Sequence, residues 1–274
     1  MYGFPAIISH HLKFYEKTVM GVAAETRHRY ILDEVRIVGK IFVKDVSEKL
    51  KITEVTVRRD LAYLEKQGLL KKTYGGAVLT NPEMSVSVSY RGKKKLAAKK
   101  IVGRLAARLI KNGDIIYLEP GSTCNEIIPH LAGKKDVTVI VNSLFHMRRL
   151  HELTQHRVII IGGMYRPERM DMVGPEAELA MGQLGGFKAF TGADDITIDA
   201  GISGADVVTV GFAKLVLRKA SEVIFVGDHT KFDNPALYKI ADIDKLNYIV
   251  TDQQPSKAWH DAAEAKNIKL IYPK

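Results

Sequence analysis

Seven short apolar runs recur through the last two thirds of the chain and constrain its fold more than any other feature. They span residues 115–119, 137–141, 158–161, 188–192, 223–227, 248–251 and 269–271. Strands buried on both faces read as such near-continuous Val/Ile runs, and helix-like segments lie between most of these. That alternation predicts a mainly parallel α/β sheet. Sheets of this kind bind ligands at the carboxyl ends of their strands, so site residues are sought just after each run.

The first run ends in Glu119-Pro120-Gly121-Ser122-Thr123. A short Gly-Ser-Thr loop entering a helix exposes backbone N–H groups and two hydroxyls at a positive helix end, which suits an anion. The same residues also serve as ordinary turn chemistry. The next four runs end in Asn142-Ser143, Gly162-Gly163, Gly192-Ala193-Asp194-Asp195 and Gly227-Asp228-His229-Thr230-Lys231. Polar or glycine-rich endings on five successive strands predict a converging polar pocket. Lys231 is the natural phosphate or hydroxyl partner there, or else a surface lysine. Asp194 and Asp228 would bond sugar hydroxyls, or else cap helices.

The first third has a different pattern. Residues 26–38 carry Tyr30, Ile31, Val35 and Val38 at helical spacing, with Gly39 as a stop. Val43–Leu50 predicts a second helix with Val43, Val46 and Leu50 inward. Lys51-Ile52 makes a turn, and Thr53 is a good N-cap for a third helix within 53–70, TEVTVRRDLAYLEKQGLL. At 100° per residue, Val57, Leu61 and Leu64 fall on one side of it. Val55, Arg58, Arg59 and Ala62 fall on the other, with Thr56 and Tyr63 on the flank. Gly68 closes the helix region, and two strand-type runs around Gly75-Gly76 predict a hairpin.

Two short helices, a tight turn, a longer amphipathic helix and a hairpin make a winged helix-turn-helix. Arg takes a guanine edge bidentately, and Thr contacts a base edge or a thymine methyl. Arg59, Val55 and Thr56 are therefore expected to read bases. Arg58, Lys71 and Lys72 would hold phosphates, with Thr53 and Tyr63 beside them. The formal net charge of +10 and pI of about 9.4 fit a polyanionic partner. The basic stretch 91–100 reads as a solvated helix start sooner than as a DNA-binding arm, since charge runs are usually solvated faces.

With 274 residues, two domains are expected. Residues 1–25 read as an extension, with Met20 a candidate natural start; 26–80 as the DNA-binding domain; 81–95 as a linker; and 96–274 as the α/β domain. One cysteine, Cys124, permits no internal disulfide and fits a reducing cytoplasm. It is expected to be a packed small residue. No apolar run approaches the roughly 20 residues of a membrane span. His146, His151 and His156 are five apart, which spreads them around a helix, so no metal is expected. No cofactor motif is present.

These residues resemble the DeoR/GlpR-type bacterial transcriptional regulators along nearly the whole chain from about Thr26. TEVTVRRDLAYLEKQGLL followed by KTYGGAVL is similar to that family's recognition helix and Gly-Gly wing. The C-terminal half is similar to its sensor domain, whose fold is shared with ribose-5-phosphate isomerase-type and coenzyme A transferase-type proteins. The marks are Gly121-Ser122-Thr123, Asn142-Ser143, Gly162-Gly163, Gly174-Pro175-Glu176-Ala177, Gly192-Ala193-Asp194 and Asp228-His229-Thr230-Lys231-Phe232. The resemblance implies a cytoplasmic, homo-oligomeric repressor, a dimer or tetramer, whose sensor domain binds a phosphorylated sugar. Glu119 stands where the family usually has Asp, and Gly211-Phe212-Ala213 where a Glu-Ala pair usually opens the helix before the fifth strand. Glu119 is one methylene longer and is expected to crowd the pocket. The rival expectation is a sugar-phosphate isomerase with an appended DNA-binding domain, using Glu119, Asp194 or Asp228 as base. The winged helix argues against it, since an isomerase has no use for one.

Overall fold

In the computed structural model the described residues are 24–38, 40–79, 92, 95–233 and 235–274. The extension and linker expected from the sequence fall almost wholly outside them, as does Gly39. The chain divides into two compact units, Met1–Ser87 and Val88–Lys274.

In the first unit, α1 (Ala24–Val38), β1 (Lys40–Phe42), α2 (Val43–Leu50), α3 (Glu54–Lys66), β2 (Leu70–Thr73) and β3 (Gly76–Leu79) follow in order. The first helix starts two residues before the expected position. The third is shorter than 53–70, because Gln67 caps it and Gly68 turns the chain at φ +72°. Ile31, Val35, Val43, Val46, Val57, Leu61, Leu64 and Leu70 form one buried core. The α2–α3 turn is closed at Ile52, whose N–H donates to the Ser47 carbonyl and whose carbonyl accepts from Ser47 Oγ at 2.6 Å.

The wing differs from the expected two-stranded hairpin. Gly75 alone holds the left-handed turn conformation, at φ +77°, while Gly76 belongs to β3. β1 adds a third strand, antiparallel to β3. A Cβ at Gly76 would collide with the Ile41 carbonyl oxygen, so glycine is what lets the two strands pair there. Three residues leading directly into a helix carry too little pattern to read as a strand beforehand.

The second unit is built on a seven-stranded sheet. Its strands are β4 (Ile115–Leu118), β5 (Thr138–Val141), β6 (Arg157–Ile160), β9 (Lys188–Thr191), β12 (Glu222–Val226), β14 (Tyr248–Val250) and β15 (Lys269–Ile271). The order is β15-β14-β12-β9-β4-β5-β6, and every pairing is parallel. Alternate residues enter opposite layers. Tyr117, Ile140, Ala189, Phe225 and Ile249 join one core, and Leu118, Val139, Phe190, Ile224 and Val250 the other. One layer is made by α6 (Pro175–Gly182), α7 (Val207–Lys219) and α8 (Lys257–Ala265). The other holds α4 (Leu96–Ala107) and α5 (Leu144–Leu150). A hairpin, β7 (Met164–Arg166) with β8 (Asp171–Val173), follows β6. A small antiparallel sheet joins β10 (Asp195–Thr197), β11 (Gly201–Gly204) and β13 (Tyr238–Ala241).

Several expected boundaries shift. Helix α4 stops at Ala107, and tightened turns through Arg108, Leu109 and Ile110 draw the buried Ile110 into the core. The Gly-Ser-Thr loop leads not into an α-helix but into two 3₁₀ segments, Cys124–Glu126 and Ile128–Gly133. Gly103 of α4 packs so closely on this segment that a Cβ there would clash with the Glu126 backbone. A short 3₁₀ segment lacks the aligned dipoles on which the anion reading rested. Gly211-Phe212-Ala213 does not open α7, which starts at Val207 behind its N-cap Asp206. The three histidines do not share one helix, since α5 ends at Leu150 and His156 bonds the Leu131 carbonyl at 2.9 Å from a loop.

Candidate functional site

The exposed face of α3 is set by its cap and its buried stripe. Thr53 Oγ1 accepts the Thr56 N–H at 3.3 Å and lies 3.0 Å from Thr56 Oγ1. Val57, Leu61 and Leu64 are buried, so Val55 (64% exposed), Arg58, Arg59 and Tyr63 face outward. Arg58 pairs with Glu54 one turn back at 2.6 Å. Arg59 makes no ion pair among the described residues. On β2, Lys71 and Lys72 are exposed, and the Lys72 N–H donates to Glu65 of α3 at 2.7 Å. The wing is thereby tied to the helix it flanks.

One residue of this element escaped the sequence reading. Asp60 is 4% exposed on the apolar face of α3 and accepts from Arg27 Nε at 2.8 Å, Arg27 Nη2 at 3.0 Å and His28 Nε2 at 3.0 Å. Burial alone would raise its pKa, but the bonds from Arg27 and His28 outweigh that and hold it low. His28 also stacks on Tyr63, with ring centroids 4.7 Å apart. A carboxylate between Val57, Leu61 and Leu64 was the available signal, because a buried charge demands partners.

In the second unit, a narrow cavity lies at the strand ends beneath α7. Tyr117, Glu119, Asn142, Asp171, Thr191 and Phe212 line it, and at about 10 Å³ it holds one water at most. Glu119 and Asn142 are thus brought together as the sequence suggested. The Glu119 carboxylate lies against Gly121 and Gly192, 3.2 Å from where a Gly192 Cβ would sit. Tyr117 OH donates to Asn142 Oδ1 at 3.0 Å, and Asn142 Nδ2 donates to the Met172 carbonyl at 2.8 Å. Burial, reinforced by Glu119, pushes the Tyr117 phenol well above its ordinary pKa.

The other expected residues take supporting places. Ser122 and Thr123 are buried. Ser143 caps α5 by accepting the His146 N–H. Gly163 lies, at φ +140°, where a Cβ would press on the Val173 carbonyl, while Gly162 is open. Asp194 Oδ2 accepts the Ala205 N–H at 2.8 Å, and Asp228 Oδ1 accepts the Thr230 N–H at 3.0 Å. Asp228 therefore does the capping that was its alternative reading, at the 3₁₀ turn His229–Lys231, whereas Asp194 holds a loop N–H ahead of α7 and caps no helix. Lys231 Nζ donates to the Asp194 carbonyl at 2.9 Å, bridging the ends of β9 and β12. Cys124 is fully buried, which pushes its thiol up. His146 Nε2 donates to the Gly121 carbonyl, 3.1 Å away, and burial lowers its pKa to about 4. Among the described residues no group of three His, Cys, Asp or Glu is placed to hold a metal ion.

An ionic cluster beside the cavity was not foreseen. Arg166 of β7 binds both oxygens of Asp171, at 2.8 and 2.7 Å, and reaches Asp206 Oδ2 at 2.5 Å and Thr209 Oγ1 at 2.9 Å. Burial alone would raise the Asp206 pKa, but Thr209 and Arg166 hold it at about 2. Asp171 and Thr209 line the cavity, so Arg166 fastens the start of α7 to the hairpin on the cavity's rim. Thr209, Phe212, Ala213 and Val216 fall on one helical face, which was the only trace of this wall in the sequence.

Two family models match the chain: a DeoR-like helix-turn-helix domain over residues 27–83 and a DeoR C-terminal sensor domain over residues 94–253. The lactose phosphotransferase system repressor of Lactococcus lactis is 34% identical over 82% of this chain and 90% of its own. The HTH-type transcriptional repressor GlcR of Bacillus subtilis is 28% identical over 90% and 95%. Among solved structures, ribose 5-phosphate isomerase A from Neisseria gonorrhoeae is a remote likeness. It has 17% identity and a TM-score of 0.36 over 50% of this chain and 53% of that one.

Proposed function

The chain belongs to the DeoR-type family of DNA-binding transcriptional regulators, and on that footing we propose that it represses a sugar catabolic operon and releases it when a phosphorylated sugar binds the α/β unit. The observation that carries the DNA half is the outward face of α3, where Val55, Arg58 and Arg59 stand exposed behind a Thr53 cap. Arg59 and Thr56 read base edges in the major groove, and Arg58, Lys71 and Lys72 hold phosphates. Such a protein works in the cytoplasm, on duplex DNA.

The effector half rests on the convergence of Glu119, Asn142 and Thr191 at neighbouring strand ends. Lys231, on the next strand's loop, supplies the positive charge for the phosphate. A cavity of about 10 Å³ is too small for a sugar phosphate, so the effector favours an opened arrangement. It shifts the equilibrium by its differential affinity for that state. Freeing α7 from Arg166 is the most direct opening. Relatives such as the lactose phosphotransferase system repressor are named for sugar systems, which supports a sugar-derived effector.

The protein acts as a homo-oligomer, dimer or tetramer. Strand β6 ends the sheet order with Ile160 half exposed, and an apolar sheet edge of that kind favours a second copy. Nuclease footprinting upstream of the protein's own operon tests the reading. Protected half-sites should lie about one helical turn apart, or a multiple of it. Protection no better than on unrelated duplex would refute it.

A further inference from the structure

Two guanidiniums and two carboxylates meet on the rim of the cavity beneath α7. Arg166 binds Asp171 and Asp206, and Arg169 lies 3.5 Å from Asp171 and 3.7 Å from Asp206. The four formal charges cancel, so this cluster offers an anionic ligand no net attraction while both carboxylates stay in place. They are held differently. Asp171 faces Arg166 across the β7–β8 hairpin, takes its guanidinium with both oxygens, and has a side chain only 2% exposed. It is fixed there, since parting the pair would strand a buried charge. Asp206 comes from the start of α7, takes Arg166 with one oxygen, and is 28% exposed. It is the exchangeable partner.

The donors around Asp206 describe what can replace it. Asp206 Oδ2 accepts from Arg166 Nη1 at 2.5 Å and from Thr209 Oγ1 at 2.6 Å, and its Oδ1 accepts the Val208 N–H at 3.1 Å. A guanidinium, a hydroxyl and a first-turn helix amide converging on one anion are a donor set that suits a phosphate group. Departure of Asp206 leaves two guanidiniums facing one carboxylate, a net positive charge. Thr209 and Asp171 also line the cavity, so a phosphate there adjoins the strand ends where Glu119 and Asn142 converge. Lys231 reaches the same loop, because it bonds the Asp194 carbonyl and the Asp194 carboxylate takes the Ala205 N–H beside Asp206.

We propose that Asp206 is the internal occupant of a phosphate subsite, and that the phosphate of the effector displaces it from Arg166 and Thr209 and so releases the first turn of α7. This rests on the sugar-phosphate reading above and gives it a second cation beside Lys231. The exchange couples binding to opening, because the bonds that hold α7 over the cavity are the ones the phosphate takes. Phosphate thereby favours the opened arrangement by its differential affinity, as a population shift requires.

Inorganic phosphate is the probe, followed by isothermal titration calorimetry on the full-length protein without DNA. Asp206→Asn keeps an N-capping side chain and removes the competing charge, and Asp206→Ser serves equally if the Asn variant misfolds. A site open for only a fraction of the time binds with its affinity reduced by that fraction, so the variant should bind phosphate about tenfold or more tightly than wild type. Adding Arg166→Lys, which leaves Asp171 a cation but loses the planar fork, should abolish most of that gain. Adding Thr209→Val, at a half-buried position, should do the same and keeps the test sound if the Arg166 variant misfolds. Equal phosphate affinity in wild type and Asp206→Asn would overturn the proposal, as would a gain that survives both second substitutions. The titration does not depend on operator release. A gain that requires Arg166, in a protein whose operator no sugar phosphate releases, would uphold the subsite and contradict only the reading beneath it.

Discussion

Asp60 of the exposed-faced helix α3 accepts two hydrogen bonds from Arg27 of α1, at 2.8 and 3.0 Å, from a position that is 4% exposed. The fork of a guanidinium against a carboxylate fixes direction as well as distance. Helix α3 is therefore oriented by an ion pair on its buried side, while Arg58 and Arg59 stand exposed on the other.

Asp60→Asn should destabilise the first unit by about 1–3 kcal/mol, because Arg27 and His28 lose a charged acceptor. Hydrogen exchange at the Val57 and Leu61 amides, set against β12 amides in the same protein, measures it. The native pKa of Asp60 is depressed, so its contribution is complete above the unfolded carboxylate value of about 4. It is lost as pH falls through the lower native value. The Asn variant should show a smaller acid-induced loss of protection at these amides, and an equal loss would exclude Asp60.

Arg59→Ala should cost about 1–3 kcal/mol in operator affinity and relax specificity at one base pair. Lys71→Ala should weaken all duplexes alike and reduce the slope of log affinity against log salt by about 1. Binding curves on the operator and on single-base variants, at two salt concentrations, separate the two roles.

Glu119→Asp draws the carboxylate back from Gly121 and Gly192, beside which its Oε2 lies. The concentration of sugar phosphate needed for half-release should fall severalfold, with operator affinity unchanged. An unaltered dose–response curve would place the effector away from Glu119.

Lys231 carries two readings that one pair of variants divides. Its ammonium braces the Asp194 carbonyl at 2.9 Å, and in the proposed function it also meets phosphate. Lys231→Gln keeps an N–H donor and loses the charge, whereas Lys231→Ala loses both. Loss of the effector response in both variants, with operator binding intact, assigns the charge to the phosphate. A normal response in the Gln variant would leave Lys231 as a brace only.

Gly103→Ala should destabilise the second unit by about 1–3 kcal/mol, since the added methyl meets the Glu126 backbone. Urea unfolding followed by the lone Trp259 would register it, and a midpoint equal to wild type would show that α4 yields freely.

The sheet was legible because its strands obey one rule: runs such as 137–141 are apolar throughout, as burial on both faces requires. The recognition helix was legible for the same reason at a different period, with Val57, Leu61 and Leu64 on one stripe. The cavity was legible only in part. Glu119 and Asn142 stood out as polar residues closing apolar runs, but Asp171, Arg166 and Thr209 reach the rim from a hairpin and a helix separated from those strands by long stretches of chain. Local pattern carries no information about such meetings. Asp194 and Asp228 had two readings because a carboxylate at a strand end suits a ligand and a backbone N–H equally; Asp228 caps the turn at Thr230, while Asp194 takes the Ala205 N–H in the loop before α7.

Operator binding released by a sugar phosphate is read out most directly by fluorescence anisotropy. A labelled duplex from upstream of the protein's own operon would be titrated at fixed salt, with unrelated duplex as competitor, and then exposed to a panel of sugar phosphates. Binding well above the competitor baseline is expected, with release by one compound at a concentration shifted by Glu119→Asp. Binding at the baseline, or specific binding that no sugar phosphate releases, would contradict it.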